Sequence, residues 1–196
     1  MDFVQPGVLQ TIGQIASYAS AIPAAVVTIF GALLLVYRAP MRWNLASILM
    51  FLGLAGWAIG GVGAVIDSTI SANVKLHNTL WVPAHFHTYF LAGLCFMVIG
   101  YFYHCCQQLA EQPENRGLQR IAATLMVIGA YGVFAMFYFA GAFGVPRRYS
   151  IYPAELAYGA KYAAAATGFA AAFLLGFIVY LAETGKRWLR AVRAAP

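Results

Sequence analysis

The sequence predicts an all-α membrane protein built on five transmembrane helices. Three observations carry that expectation. Apolar residues make up 62% of the 196 residues and charged residues only 9%, where a soluble domain carries about a quarter charged residues. Five separate stretches are long enough to cross the bilayer, which takes about 20 apolar residues for roughly 30 Å of hydrocarbon. The 12 basic residues are shared unequally between the two sets of connecting loops. This composition excludes a disordered chain, a nucleic-acid module and an ordinary soluble enzyme. Three cysteines, two of them adjacent, exclude a disulfide scaffold.

The spans follow in order. The first, about Tyr18–Tyr37, is closed by Arg38-Ala39-Pro40. The second, Trp43–Ile66, carries Gly53, Gly56, Gly60, Gly61 and Gly63, which allow close helix approach. Asp67 to Asn78 reads as a polar loop. The third span is Thr79–His104. Glu111-Gln112-Pro113-Glu114-Asn115-Arg116-Gly117 is a turn by composition. The fourth span is Arg120–Phe143, and Pro146-Arg147-Arg148 through Pro153 separates it from the fifth, Tyr158–Ala182. No repeat or composition shift divides the chain, so residues 1–196 read as a single transmembrane domain. Each span is apolar most of the way round, as expected where lipid and neighbouring helices share the surface.

The net charge of +6 reads as loop asymmetry. One set of loops holds Arg38, Arg42, Arg116, Arg120, Lys186, Arg187, Arg190 and Arg193. The other holds Lys75, Arg147, Arg148 and Lys161. The positive-inside rule then places the C-terminus in the cytoplasm, and an odd number of spans places the N-terminus outside. Residues 1–17 carry one charge, Asp2, with no n-region or cleavage site. A chain that starts outside without a signal peptide is expected to be the second half of something larger.

Two histidines lie inside the third span, His85 and His87. An ionisable group there is costly and normally has a partner or a job. At 1.5 Å per residue His85 lies about 9 Å below the start of the span. Residues two apart on a helix are separated by about 200°, so the two imidazoles point in opposite directions. A zinc pair would prefer i, i+4. Opposite faces suit two separate acceptors, and two haem irons would fit, with Phe86 near both. The competing reading is hydrogen bonding to neighbouring helices. Arg147 and Arg148 break the charge rule on the outer side. A solvated interfacial pair is one reading; a clamp for haem propionates is the other, because guanidinium binds carboxylates bidentately. His77 lies at similar height, where a loop histidine, a propionate contact or an ion site are the alternatives.

Other residues read as structure. Cys105 and Cys106 with His104 read as membrane-edge packing before metal binding. Glu183 with Lys186 and Arg187 reads as a solvated helix end. Trp43 and Trp188 suit the inner interface and Trp81 the outer one. Tyr149 and Tyr152 read as interfacial anchors at the mouth of the proposed site.

Two segments resemble subunit I of the haem–copper oxygen reductases. His77-Asn78-Thr79-Leu80-Trp81-Val82-Pro83-Ala84-His85-Phe86-His87 is similar to the family's tenth-helix segment. Gly144-Val145-Pro146-Arg147-Arg148-Tyr149-Ser150-Ile151-Tyr152-Pro153 is similar to the loop between its eleventh and twelfth helices. Weaker similarity runs from Phe3-Val4-Gln5-Pro6-Gly7 through Ala21-Ile22-Pro23 to Trp188. The resemblance implies helices eight to twelve of a twelve-helix bundle, in the orientation the charge count gives.

It also implies roles. His85 would ligate the high-spin, oxygen-reducing haem and His87 the low-spin, electron-delivering haem, with Phe86 between them. Arg147 and Arg148 would hold propionates, with His77 among them. Many members place a magnesium ion there with an aspartate where this chain has Asn78, which weakens that expectation. The proton-feeding lysine of many eighth helices has no counterpart in Ala24-Ala25-Val26-Val27-Thr28; Ser17, Tyr18, Ser20 and Thr28 are the hydroxyls nearby. The family's copper ligands and the low-spin haem's second ligand lie on helices one to seven. The expectation is therefore a divided subunit I in a bacterial or archaeal cytoplasmic membrane. Its partners would be an N-terminal seven-span fragment with the copper histidines, a subunit II-like electron-entry chain, and cytochrome c or another donor. The implied function is a terminal oxidase reducing oxygen to water, coupled to proton translocation. The alternatives are a nitric-oxide-reducing relative and a haem-free accessory subunit.

Overall fold

The computed structural model describes residues 7–110 and 115–194. The start of the resemblance at Phe3 to Pro6 and the turn residues Glu111 to Glu114 lie outside the described residues. The rest is an all-α bundle with five helices long and apolar enough to cross a membrane. They are α1 (Gly7–Arg38), α2 (Leu45–Ser68), the continuous stretch Trp81–Ala110, α6 (Arg116–Ala142) and the long α7 (Ala157–Ala194). A short α3 (Ile70–Leu76) follows α2. The Trp81–Ala110 stretch divides into α4 (Trp81–His87), a π-helical segment (Thr88–Cys95) and α5 (Phe96–Ala110).

Local chemistry sets the starts. Asn44 and Ser47 cap α2 reciprocally: Ser47 N–H donates to Asn44 Oδ1 (3.0 Å) and Asn44 N–H to Ser47 Oγ (2.9 Å). This satisfies two of the donors that a helix start leaves without partners. Asn115 Oδ1 accepts from Leu118 N–H (3.2 Å) at the start of α6. Pro83 sits in the first turn of α4, where its missing N–H costs no helical bond.

Two expectations change. The stretch from Asp67 to Asn78 is not wholly loop, because α3 occupies its middle. Asn73 Nδ2 donates back to Asp67 O (2.8 Å), and the backbone N–H groups of Ala72 and Asn73 bond Thr69 O. These bonds turn a polar segment into two helical turns. Gln14 of α1 reaches across to it: Ile70 N–H donates to Gln14 Oε1 (3.1 Å), and the Tyr18 and Thr69 hydroxyls are hydrogen-bonded.

The second change is at the far end. Glu183 and Arg187 are not a solvated helix end; they are 7% and 4% exposed. At 38 residues α7 is about 57 Å long and does not stop at the edge of the apolar stretch. Residues 183 and 187, one turn apart, therefore face α5 and α6. Arg187 Nη2 and Nε donate to Glu183 Oε1 at 2.7 and 3.1 Å, and the guanidinium lies 5.6 Å from the Tyr103 ring centroid. Gln119 of α6 donates to the Tyr103 hydroxyl (2.9 Å), and Leu45 N–H donates to Gln119 Oε1 (3.4 Å). One polar cluster thus ties four helices at this end. Lys186, turned about 100° from Arg187 around the helix, is exposed.

The apolar core joins α2, the π segment, α5, α6 and α7 through Leu45, Leu49, Phe96, Met126, Phe134 and Tyr180. Small residues bring the backbones together. A Cβ on Gly56 would lie 2.7 Å from the Ala92 backbone, and one on Gly129 would lie 2.4 Å from Phe173 N. At Gly141 the approach is closest, because an added Cβ would lie 2.1 Å from Trp81 N, the first residue of α4. Backbone cannot yield there as a side-chain tip would. Gly141→Ala is expected to exceed the roughly 1–3 kcal/mol typical of overpacking. The check is a lowered thermal unfolding midpoint of the purified complex; an unchanged midpoint would show that α4 is free to shift.

Candidate functional site

The two segments singled out in the sequence, 66 positions apart at Asn78 and Gly144, are neighbours in space. An antiparallel bridge pairs Thr79 with Pro146. Leu80 N–H donates to Val145 O (2.8 Å) and Arg147 N–H to Asn78 O (2.9 Å). Arg147 Nη2 also donates to Asn78 Oδ1 (3.2 Å). Asn78 and Arg148 both have positive φ, 64° and 70°. Asparagine tolerates the left-handed region better than most residues, because its short polar side chain bonds locally. Asn78 thus has a backbone duty and holds Arg147 from two directions. Arg147 Nε is buried without a hydrogen-bond partner, while Arg148 is exposed. His77 is half-buried beside Asn78, its N–H donating to Asn73 O (2.8 Å). Tyr149 is exposed, and Tyr152 packs on the small cluster of Leu80, Ala140 and Val145.

Below this junction stands α4. His87 Nδ1 lies 2.7 Å from Pro83 O. A carbonyl only accepts, so Nδ1 carries the proton and Nε2 keeps its lone pair. That is the tautomer a metal ligand needs, set by the bond at the other nitrogen. His87 is exposed, and so is Phe86, at 57%. Phe86 stacks on Phe90 at 5.6 Å, nearly coplanar, and meets His87 edge-on at 5.5 Å. The result is a flat aromatic surface beside an open imidazole nitrogen.

His85 leaves α4 toward α2. Gly63 admits it, since a Cβ there would lie 2.6 Å from His85 Nδ1. The ring packs edge-on against Tyr89 (5.1 Å). Its Nδ1 is buried without a hydrogen-bond partner, and its Nε2 lies 3.8 Å from Asp67 Oδ2. The structure therefore separates the two imidazoles, one against α2 and one on an open face. Among the described residues, no hydrogen bond joins either arginine to either imidazole.

Sequence reasoning placed Asp67 only at the start of a loop and did not connect it with His85. The signal was present: Asp67 is a carboxylate at the end of a long apolar run. Tyr138 was missed entirely. It is an aromatic among many on α6, yet its ring packs on Trp81 (4.6 Å) and its hydroxyl lies 3.4 Å from Thr88 Oγ1.

The residues fit a flat, apolar, iron-bearing acid on the His87 face. The nitrogen is in the right tautomer, the surface beside it is aromatic, and Arg147 is held at the same end of the helix. His85 fits as a ligand through Nε2, because Nδ1 is closed off by Gly63.

Comparisons with known proteins bear on the family of the chain. A family model described as cytochrome c and quinol oxidase polypeptide I matches residues 3–178. The chain is 29% identical over 108 residues to cytochrome c oxidase subunit 1 of Thermus thermophilus, covering 54% of this chain and 19% of that protein. It is 26% identical over 149 residues to the Bacillus subtilis subunit 1, covering 76% and 24%. With the Albinaria turrita subunit 1 it shares 31% over 117 residues, covering 60% and 57%. In fold, it superposes with a TM-score of 0.79 on a chain of a heme-copper terminal oxidase dimer solved by cryo-EM. That match covers all of this chain and 38% of the other at 20% identity. The chain thus spans less than two thirds of the length of each of these relatives.

Proposed function

Because the chain belongs to the cytochrome c and quinol oxidase polypeptide I family, we propose that it supplies the haem-ligating helices of the catalytic subunit of a respiratory terminal oxidase. His87 holds the low-spin haem and His85 the high-spin haem, with Phe86 between them. Arg147 and Arg148 meet the propionates, and His77 lies in the same polar layer, where a magnesium ion is a further candidate. The copper ligands and the second ligand of the low-spin haem come from chain outside these 196 residues. A subunit II-like chain delivers electrons from cytochrome c or another donor. The N-terminus faces outward and the C-terminus the cytoplasm, as the basic residues divide.

The observation that carries this reading is His87: its Nδ1 bonds Pro83 O at 2.7 Å and its Nε2 stays open, on an exposed aromatic face inside a membrane-spanning helix. The haems, when bound, supply electron transfer and oxygen reduction. The chain's own residues bind and orient. Pro83 O locks the His87 ring, so no tautomer change precedes ligation. Asn78 holds the Arg147 guanidinium in place, so less side-chain freedom is lost when a carboxylate binds it. The left-handed turn at Arg148 closes the outer loop over the α4 start.

The test is purification of the assembled complex, followed by metal and haem analysis and a density map. Two haems flanking α4, with copper alongside the iron, are expected. Iron without copper would point to the nitric-oxide-reducing relative. No haem density on either flank of α4 would refute the proposal.

A further inference from the structure

An imidazole turns broadly about its last side-chain torsion, so its neighbours and not a narrow rotamer well set its plane. Two neighbours border the His85 ring. One is the backbone of α2 at Gly63, where a Cβ would lie 2.6 Å from Nδ1 and 3.5 Å from Cε1. The other is the Tyr89 ring, which meets the imidazole edge-on at 5.1 Å. Tyr89 follows His85 by four positions, about one turn, so the two side chains lie on the same side of their helical stretch. Tyr89 is itself held. Its ring lies against α2 at Gly60, where a Cβ would come 2.9 Å from both Cγ and Cδ1 and 3.0 Å from Cδ2. Trp57, three positions before Gly60, meets the Tyr89 ring edge-on at 5.6 Å. Trp57 in turn fills a second notch: a Cβ on Gly93 would lie 2.3 Å from its Cδ1 and 2.7 Å from its Nε1. Gly60 and Trp57 belong to α2, and Tyr89 and Gly93 to the π-helical segment (Thr88–Cys95). Each helix thus carries one large ring and one glycine that receives the ring of the other.

We propose that Tyr89 is a positioning residue for His85: its ring, locked between Gly60 and Trp57, blocks rotation of the imidazole and so sets the plane in which that ring meets iron. This rests on the reading of His85 as a haem ligand. A ligand has to be held within about 10–20° of its productive orientation by side chains that are themselves locked by packing, and Tyr89 meets that condition. Its ring cannot retreat toward α2, because bare backbone lies there, and Trp57 limits it from a second direction. The contact acts through the ring edge. No proton or electron moves in it, and the Tyr89 hydroxyl has no part in the argument. Trp57 works one step further out, as the wall that keeps Tyr89 in place, and reaches His85 only through Tyr89.

The test uses the assembled oxidase with the variants Tyr89→Leu, Tyr89→Phe, Trp57→Leu and His85→Gly, read by resonance Raman of the ferrous high-spin haem. Tyr89→Leu removes the ring and should displace and broaden the iron–histidine stretching band, as the imidazole samples several planes. It should also weaken haem retention, by about 10-fold, the lower end of what loss of an outer-shell partner brings. Tyr89→Phe keeps the ring edge and should restore the wild-type band. Trp57→Leu leaves both rings in place but removes the wall, and should shift the band in the same sense by less. It decides the matter alone if Tyr89→Leu does not assemble. A wild-type band in Tyr89→Leu, or in Trp57→Leu where that variant decides, would overturn the inference and leave the ligand assignment standing. So would a Tyr89→Phe band displaced as far as that of Tyr89→Leu, since the hydroxyl would then be the active part. Persistence of the band in His85→Gly would instead overturn the assignment itself.

Discussion

Replacing His87 with leucine is expected to remove the low-spin haem spectrum from the assembled complex. The argument is electronic before it is structural. A six-coordinate iron stays low-spin only while two strong nitrogen donors bind it, and in the proposed assignment His87 is one of them. Leucine fills a similar volume on an already exposed face, so α4 itself should fold as before. The loss should therefore appear in the optical spectrum without a matching fall in complex yield. His85→Leu should act differently. It should uncouple the high-spin haem and abolish oxygen uptake while the low-spin bands remain. Two separate spectral phenotypes are what one would see if the imidazoles, about 200° apart, serve two cofactors. Wild-type spectra and oxygen uptake in both variants would rule the assignment out.

The second large effect is expected far from His85 and His87, at the buried pair of Glu183 and Arg187. Removing one partner alone, as in Glu183→Leu, leaves a guanidinium 4% exposed with its carboxylate gone. Breaking a buried pair in this way costs about 3–5 kcal/mol, whereas exchanging both partners for packed apolar residues is often neutral or stabilising. Glu183→Leu should therefore lower the unfolding midpoint of the complex sharply. The double variant Glu183→Leu with Arg187→Met should recover most of the loss. Thermal unfolding of the four proteins in detergent measures this as a double-mutant cycle. Small, additive single effects would show that water reaches the pair. The result also bears on the site, since Tyr103 and Gln119 connect this cluster to the helices that carry α4.

Much of the molecule was legible before any coordinates. The thickness of the hydrocarbon sets how many apolar residues a span needs, and lipid forbids unpaired backbone, so composition and run length alone determined an all-α membrane protein with five spans. The histidine pair stood out because ionisable groups are rare in such runs, and its two-residue spacing determined that the rings diverge. The arginine pair stood out because it lies on the side with fewer basic residues.

What the one-dimensional pattern left undecided is which side chains meet across helices. Nothing local distinguishes Glu183 and Arg187 at a solvated helix end from the same residues turned into a bundle; only the continuation of α7 past the apolar stretch against α5 and α6 decides it. Asp67 and His85 are separated by a turn of unknown path until α3 forms and carries α4 back onto α2. Tyr138 is one tyrosine among twelve until the fold packs its ring on Trp81 and sets its hydroxyl near Thr88. Asn78 reads as a weakened ion ligand until its positive φ and its bonds to Arg147 show what it supports. Periodicity reports the faces of a single helix, but contacts arise from the relative placement of several, and that placement is set by packing between residues far apart in the chain.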